Sequence, residues 1–131
     1  MYSDKVFFLT KIPTDKLDIL TDTNDTNLIA AIETADGLID SYLQTVTTVP
    51  LAIVPSIIKQ LSYDIAMFYL QSRNQYNEIP GYVKDNYDAA VFFLKDVAAG
   101  KANLPGLPTD IINGTVSYLI EGGNIMTRNT F

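Results

Sequence analysis

The side chains in this sequence that could do chemistry are carboxylates, and they occur in three kinds of setting. Asp22-Thr23-Asn24-Asp25-Thr26-Asn27, with Glu33 eleven positions after Asp22, has the outline of a calcium loop. Such a loop needs oxygen ligands at its first, third and fifth positions, a turn-permitting residue at the sixth and a bidentate Glu at the twelfth. Asn27 stands where the glycine belongs, and an apolar helical stripe already begins at Leu28. The run therefore reads as a polar turn that caps the following helix. Asp36 with Asp40, and Asp85 with Asp88, are spaced to share a helix face. Paired acid/base catalysis requires two carboxyls opposed across a cleft in differently tuned environments, so these pairs read as solvated surface. Asp64 is different, because it lies in the apolar run Leu61-Ser62-Tyr63-Asp64-Ile65-Ala66-Met67-Phe68 and neighbours Leu61 and Phe68 on the helical wheel. A carboxylate there needs a hydrogen-bond or ion-pair partner, within the subunit or across a contact. Lys59, Tyr63 and Arg73 are in range. Asp64 is expected to be a structural polar anchor, since no nucleophile or metal ligand accompanies it.

What is missing from the composition narrows the chemistry further. The 131 residues contain no His, no Cys and no Trp. That removes thiol nucleophiles, disulfides, zinc sites with the usual ligands and Ser-His-Asp triads. Lys and Arg number 9 against 15 Asp and Glu, for a net charge of -6. A nucleic-acid clamp needs clustered cations to displace counterions from phosphates, and this chain has too few. Neither an enzymatic activity nor a cofactor or metal is expected. The apolar run Val6-Phe7-Phe8-Leu9 is too short for a secretory h-region, and the window from Val49 to Ile58 is broken by Pro50 and Pro55. A soluble chain without a targeting signal is the expectation.

Helical periodicity organises the first hundred residues. Leu28, Ile32, Ala35, Ile39 and Tyr42 form a stripe that predicts a helix over 28–44, ahead of the β-branched Thr45-Val46-Thr47-Thr48-Val49-Pro50. Pro55 opens a second helix, 55–73, with the stripe Ile58, Leu61, Ile65 and Phe68. Pro80 and Gly81 begin a third, 80–99, with Val83, Tyr87, Ala90, Leu94 and Val97, and Gly100 is a natural stop. A short helix is predicted over 14–20. After Gly100 the character changes, with Pro105, Gly106, Pro108, Gly114, Gly122 and Gly123 and no helical stripe. Asn113-Gly114 suits a tight hairpin turn, and Val116 to Ile120 suits a strand. The predicted fold is all-α: a compact three- to four-helix unit over 1–100 with an extended C-terminal arm over 101–131 that includes a candidate β-hairpin. The arm is too apolar for a solvated tail and too small for its own core, so it must lean on its own helices or on another subunit.

Phe92 and Phe93 are adjacent on one helix and point about 100° apart, so one face cannot hide both. Two readings stand open: a partner buries this surface, or a wide core stripe and the arm do. Asp64, Phe92, Phe93, Tyr118, Arg128 and Phe131 are the candidate interface residues.

The order of short motifs carries a resemblance. Leu38-Ile39-Asp40-Ser41-Tyr42-Leu43, Val49-Pro50-Leu51, Val54-Pro55, Asp64-Ile65-Ala66, Tyr69-Leu70, Tyr87-Asp88-Ala89-Ala90 and Val97-Ala98-Ala99-Gly100-Lys101-Ala102 follow one another as they do in a known family. The chain resembles the small Mu-like phage proteins related to head–tail connector, or head-completion, proteins. Members usually carry basic residues after the first long helix, where this chain reads Gln44-Thr45-Val46-Thr47. The resemblance implies a virion structural protein at the head–tail junction, present in the host cytoplasm before assembly. It implies a homo-oligomeric ring, a dodecamer in the usual case, that meets the portal protein and the tail or neck proteins while DNA passes without sequence-specific binding. It implies no catalytic residue. Another neck or tail-completion protein, or a small acidic regulatory protein free in the infected cell, is the alternative.

Overall fold

Spacing of apolar residues decides which faces meet in the computed structural model, which describes residues 1–73 and 78–104. Five helices follow one another: α1 (Lys5–Lys11), α2 (Thr14–Thr21), α3 (Asp25–Leu43), α4 (Ser56–Ser72) and α5 (Gly81–Ala98). The all-α expectation holds, with one helix more than predicted. α1 is the addition. Asp4 caps it by accepting from the Phe7 amide at 2.8 Å, and Phe8 is its buried anchor.

The three long helices carry the predicted stripes. α3 buries Leu28, Ala31, Ile32, Ala35, Ile39 and Leu43, and Asn24 caps it by accepting from the Thr26 amide at 2.9 Å. The polar run from Asp22 is thus the cap that its sequence indicated, with Asp25 already inside the helix. α4 buries Ile58, Leu61, Ile65, Ala66 and Leu70, while α5 buries Val83, Ala90, Leu94 and Val97. Each fully buried Leu or Ile of this set stabilises the fold by about 1.5–3 kcal/mol relative to leaving it in water.

α3 and α4 run antiparallel, with Asn27 and Ala31 beside Arg73 and Tyr69, and α5 packs on both. Asp36 of α3 meets Ser62 of α4, and the Phe68 and Tyr87 rings of α4 and α5 stack with centroids 4.1 Å apart. Arg73 beyond α4 donates to the Leu20 carbonyl at 3.1 Å, and Lys16 of α2 reaches the Tyr82 hydroxyl of α5 at 3.3 Å.

α5 stops in a Schellman turn. Gly100 has φ +78, its amide donates to Val97 O at 3.1 Å, and the Lys101 amide donates to Asp96 O at 2.8 Å. Beyond the turn, Leu104 is buried in the same core cluster as Phe8, Ile39 and Leu94. The first residues of the predicted arm thus pack on the body. The candidate hairpin and the rest of the arm lie outside the described residues.

Candidate interaction surface

A polar seam ties the N-terminal segment to α3 and α4. The Tyr2 amide donates to Asp36 Oδ2 at 2.9 Å, and the Tyr2 hydroxyl donates to the Asp40 carboxylate. The Leu51 amide donates to that same Tyr2 hydroxyl at 2.9 Å. Ser62 donates to Asp36 Oδ1 at 2.8 Å, which leaves the Ser3 hydroxyl to donate to Ser62 Oγ at 2.8 Å. Burial pushes the Asp36 carboxyl above the ordinary carboxylate range, while its bonds from Tyr2 and Ser62 pull the other way. Burial and the bond to Asp40 push the Tyr2 phenol up to about 12. Asp36 and Asp40 are therefore not the solvated surface that their spacing suggested. Their partners sit at the N-terminus and on α4, and both carboxylates are half-buried. For Asp85 and Asp88 the solvated reading stands, since both are exposed and, among the described residues, Asp88 pairs only with exposed Lys84 at 2.9 Å.

Asp64 is half-buried between α4 and α5, in a recess of about 120 Å³ lined by Tyr63, Met67, Tyr82, Val83 and Asn86. It accepts from Gln60 Nε2 at 3.0 Å, one turn back on its own helix. Burial raises its pKa, opposed by the Gln60 bond and by the charge of Lys11. None of the three predicted partners bonds to it. Arg73 instead pairs with Asp22 at 3.3 Å, and Lys59 has no ion-pair partner among the described residues. No group of three or more Asp and Glu suited to a metal occurs among the described residues.

The adjacent aromatics split as their 100° separation requires. Phe93 packs against the core, whereas Phe92 is 67% exposed. Asp64 borders the N-terminal half of α5 and Phe92 lies farther along that helix, so the two do not form one site. Tyr118, Arg128 and Phe131 lie outside the described residues.

A surface that the sequence reading missed lies beside the polar seam. A groove of about 410 Å³ runs between the N-terminal segment, α1 and the start of α4. Met1, Val6, Phe7 and Val54 supply its apolar lining, with Asp4 and Lys59 as its charged residues. Met1 and Val6 are 67% and 72% exposed, and Ile53, next to Val54 in sequence, is 73% exposed. Only the run Val6-Phe7-Phe8-Leu9 signalled it, and that run showed no periodicity long enough to place it on a helix. Among the described residues, no helix is long and apolar enough to cross a membrane.

The chain matches the model of the family described as Bacteriophage Mu, Gp36 over residues 2–111. That span starts at Tyr2 of the polar seam and includes all five helices. The chain is also similar to the Mu-like prophage FluMu protein gp36 of Haemophilus influenzae, with 29% identity over 103 residues, 76% of this chain and 70% of that protein. A match of this extent makes the chain a phage protein that belongs to the bacteriophage Mu Gp36 family.

Proposed function

We propose that this protein is a head–tail connector of the virion. Copies form a ring, dodecameric in the expected case, below the portal. The ring extends the DNA channel and offers a platform for tail or neck proteins, and before assembly the subunits stand in the host cytoplasm. The observation that carries this reading is the apolar surface left on a small helical body. Val6, Ile19, Ile53 and Phe92 are each at least 67% exposed, and they lie on α1, α2, the segment between α3 and α4, and α5. Exposed apolar residues spread over separate elements suit head-to-tail closure, in which unlike patches of neighbouring copies meet around a ring. The net charge of -6 supports a channel role, because acidic walls repel DNA phosphates and let the genome slide.

Quantitative mass spectrometry of purified particles tests the role. A connector is present at multiple copies per particle and is recovered with portal or tail subunits in pull-downs. Absence from the particle contradicts the proposal and favours a regulatory protein acting free in the cell. Truncation should be made after Leu104, not at Gly100, because Leu104 is part of the core. That truncated protein is expected to stay folded and to be lost from virions.

A further inference from the structure

We infer that the groove beside α1 receives Phe92, with the turn of α5 around it, from a neighbouring copy. This deepens the connector reading and rests on it, since it names the surface one subunit offers and the surface that fills it. The groove is apolar where it is open. Met1, Val6 and Val54 line it, and Ile53 adjoins Val54 in sequence, with Met1, Val6 and Ile53 mostly exposed. Isolated apolar residues on a surface are ordinary, but several around one cavity form a patch that a partner covers. Among the described residues, Phe92 is the one phenyl ring mostly exposed to solvent. At 67% exposure it does not fill the groove of its own chain. A cavity of about 410 Å³ has room for that ring, and exposed Ala89, one turn before it, lets α5 approach a neighbour closely.

Charge favours this occupant. The groove carries one cation, Lys59, and one anion, Asp4. α5 carries Lys95 and Asp96 three and four residues after Phe92, on the same side of the helix. None of these four has an ion-pair partner among the described residues. Asp4 caps α1 through Oδ1, which leaves Oδ2 for a second partner. Asp96 set against Lys59, and Lys95 against Asp4, place two complementary pairs around an apolar centre. Ile19 on α2 is the rival occupant, at 75% exposure. The charges beside it are already engaged, Asp22 with Arg73 and Lys16 with the Tyr82 hydroxyl.

The two patches are unlike. One is the outer face of α5, and the other is built by the N-terminal segment, α1 and the start of α4. Each copy then gives on one patch and receives on the other, which is the heterologous contact that closes a ring.

Thiol crosslinking tests the pairing, because the sequence has no cysteine of its own. Full chains carrying Val6→Cys are mixed at several hundred micromolar with full chains carrying Ala89→Cys, treated with a short bismaleimide, and the products are identified by mass. Val6→Cys mixed with Asp15→Cys, one turn from Ile19, is the comparison pair. The 6–89 product is expected to exceed the 6–6, 89–89 and 6–15 products at least fivefold. Phe92→Asp in the Ala89→Cys chain should cut its yield at least fivefold while circular dichroism of the helices is unchanged. Lys59→Glu in the Val6→Cys chain should lower the yield as well, and Asp96→Lys in the other chain should restore it. A 6–89 yield no higher than the 6–15 or 6–6 yield overturns the inference, as does a yield that Phe92→Asp leaves unmoved. Neither failure alters copy number in particles, so the docking surface and the connector role stand or fall separately.

Discussion

Ser62 on α4 donates its hydroxyl hydrogen to Asp36 on α3 across 2.8 Å, at a position where Ser62 itself is fully buried. Asp36 also holds the Tyr2 amide, so one carboxylate joins the N-terminal segment to both helices. Ser62→Ala removes the donor and strands the Ser3 hydroxyl as well. The variant is expected to lose about 1–3 kcal/mol, the cost of leaving buried polar groups without partners. Urea denaturation followed by circular dichroism measures this, and an unchanged midpoint contradicts the seam as a structural tie.

Burial raises the carboxyl pKa of both Asp36 and Asp64 above the ordinary value of 3.8. Across the window from 3.8 to the raised folded value, the native state holds a proton that the unfolded chain has released. Stability from these two groups therefore falls as pH rises through that window and is recovered as pH drops below it. Asp64→Asn keeps an oxygen for the Gln60 bond and removes the charge. It should stabilise the protein by a few tenths of a kcal/mol at pH 7, a modest gain because solvent screens a half-buried group. The gain should vanish below pH 3.8. Paired thermal melts of the two proteins at neutral and acid pH check the sign, and a loss at pH 7 contradicts it.

α1 is held by one large side chain. Phe8 is 0% exposed and meets Tyr63 edge-on, with ring centroids 4.7 Å apart. Phe8→Ala should cost about 3–5 kcal/mol through lost burial and the cavity left behind. The same change at exposed Val6 should fall within about 0.5 kcal/mol of zero. Hydrogen exchange should show the α1 amides losing protection in the first variant and keeping it in the second.

The corner between α2 and α3 stores strain. Asp22 and Thr23 are consecutive non-glycine residues in the left-handed region, with φ 55 and 56. A β-branched residue there costs roughly 1–2 kcal/mol, part of which glycine returns through its greater freedom when unfolded. Thr23→Gly should therefore raise stability by about 0.5–1 kcal/mol. A lower melting temperature for this variant contradicts the argument.

The long helices were legible because each repeats its apolar stripe over several turns, as Leu28 to Leu43 and Val83 to Val97 do. α1 was not legible because seven residues span only two turns. Its identity rests on the Asp4 cap and on Phe8 finding Tyr63 far along the chain. The setting of Asp36 and Asp40 was hidden for the same reason. Their spacing is that of any solvated helix face, and Tyr2 and Ser62 come to them only through the tertiary fold. For Asp64 the need for a partner is met, but the partner is Gln60 on its own helix, not a cation.

Cryo-electron microscopy of the particle neck tests the connector assignment most directly. The expected map shows a closed ring of this chain directly beneath the portal, with its five-helix body fitting each subunit density and Phe92 buried against another chain. A neck whose densities are all accounted for by other proteins contradicts it.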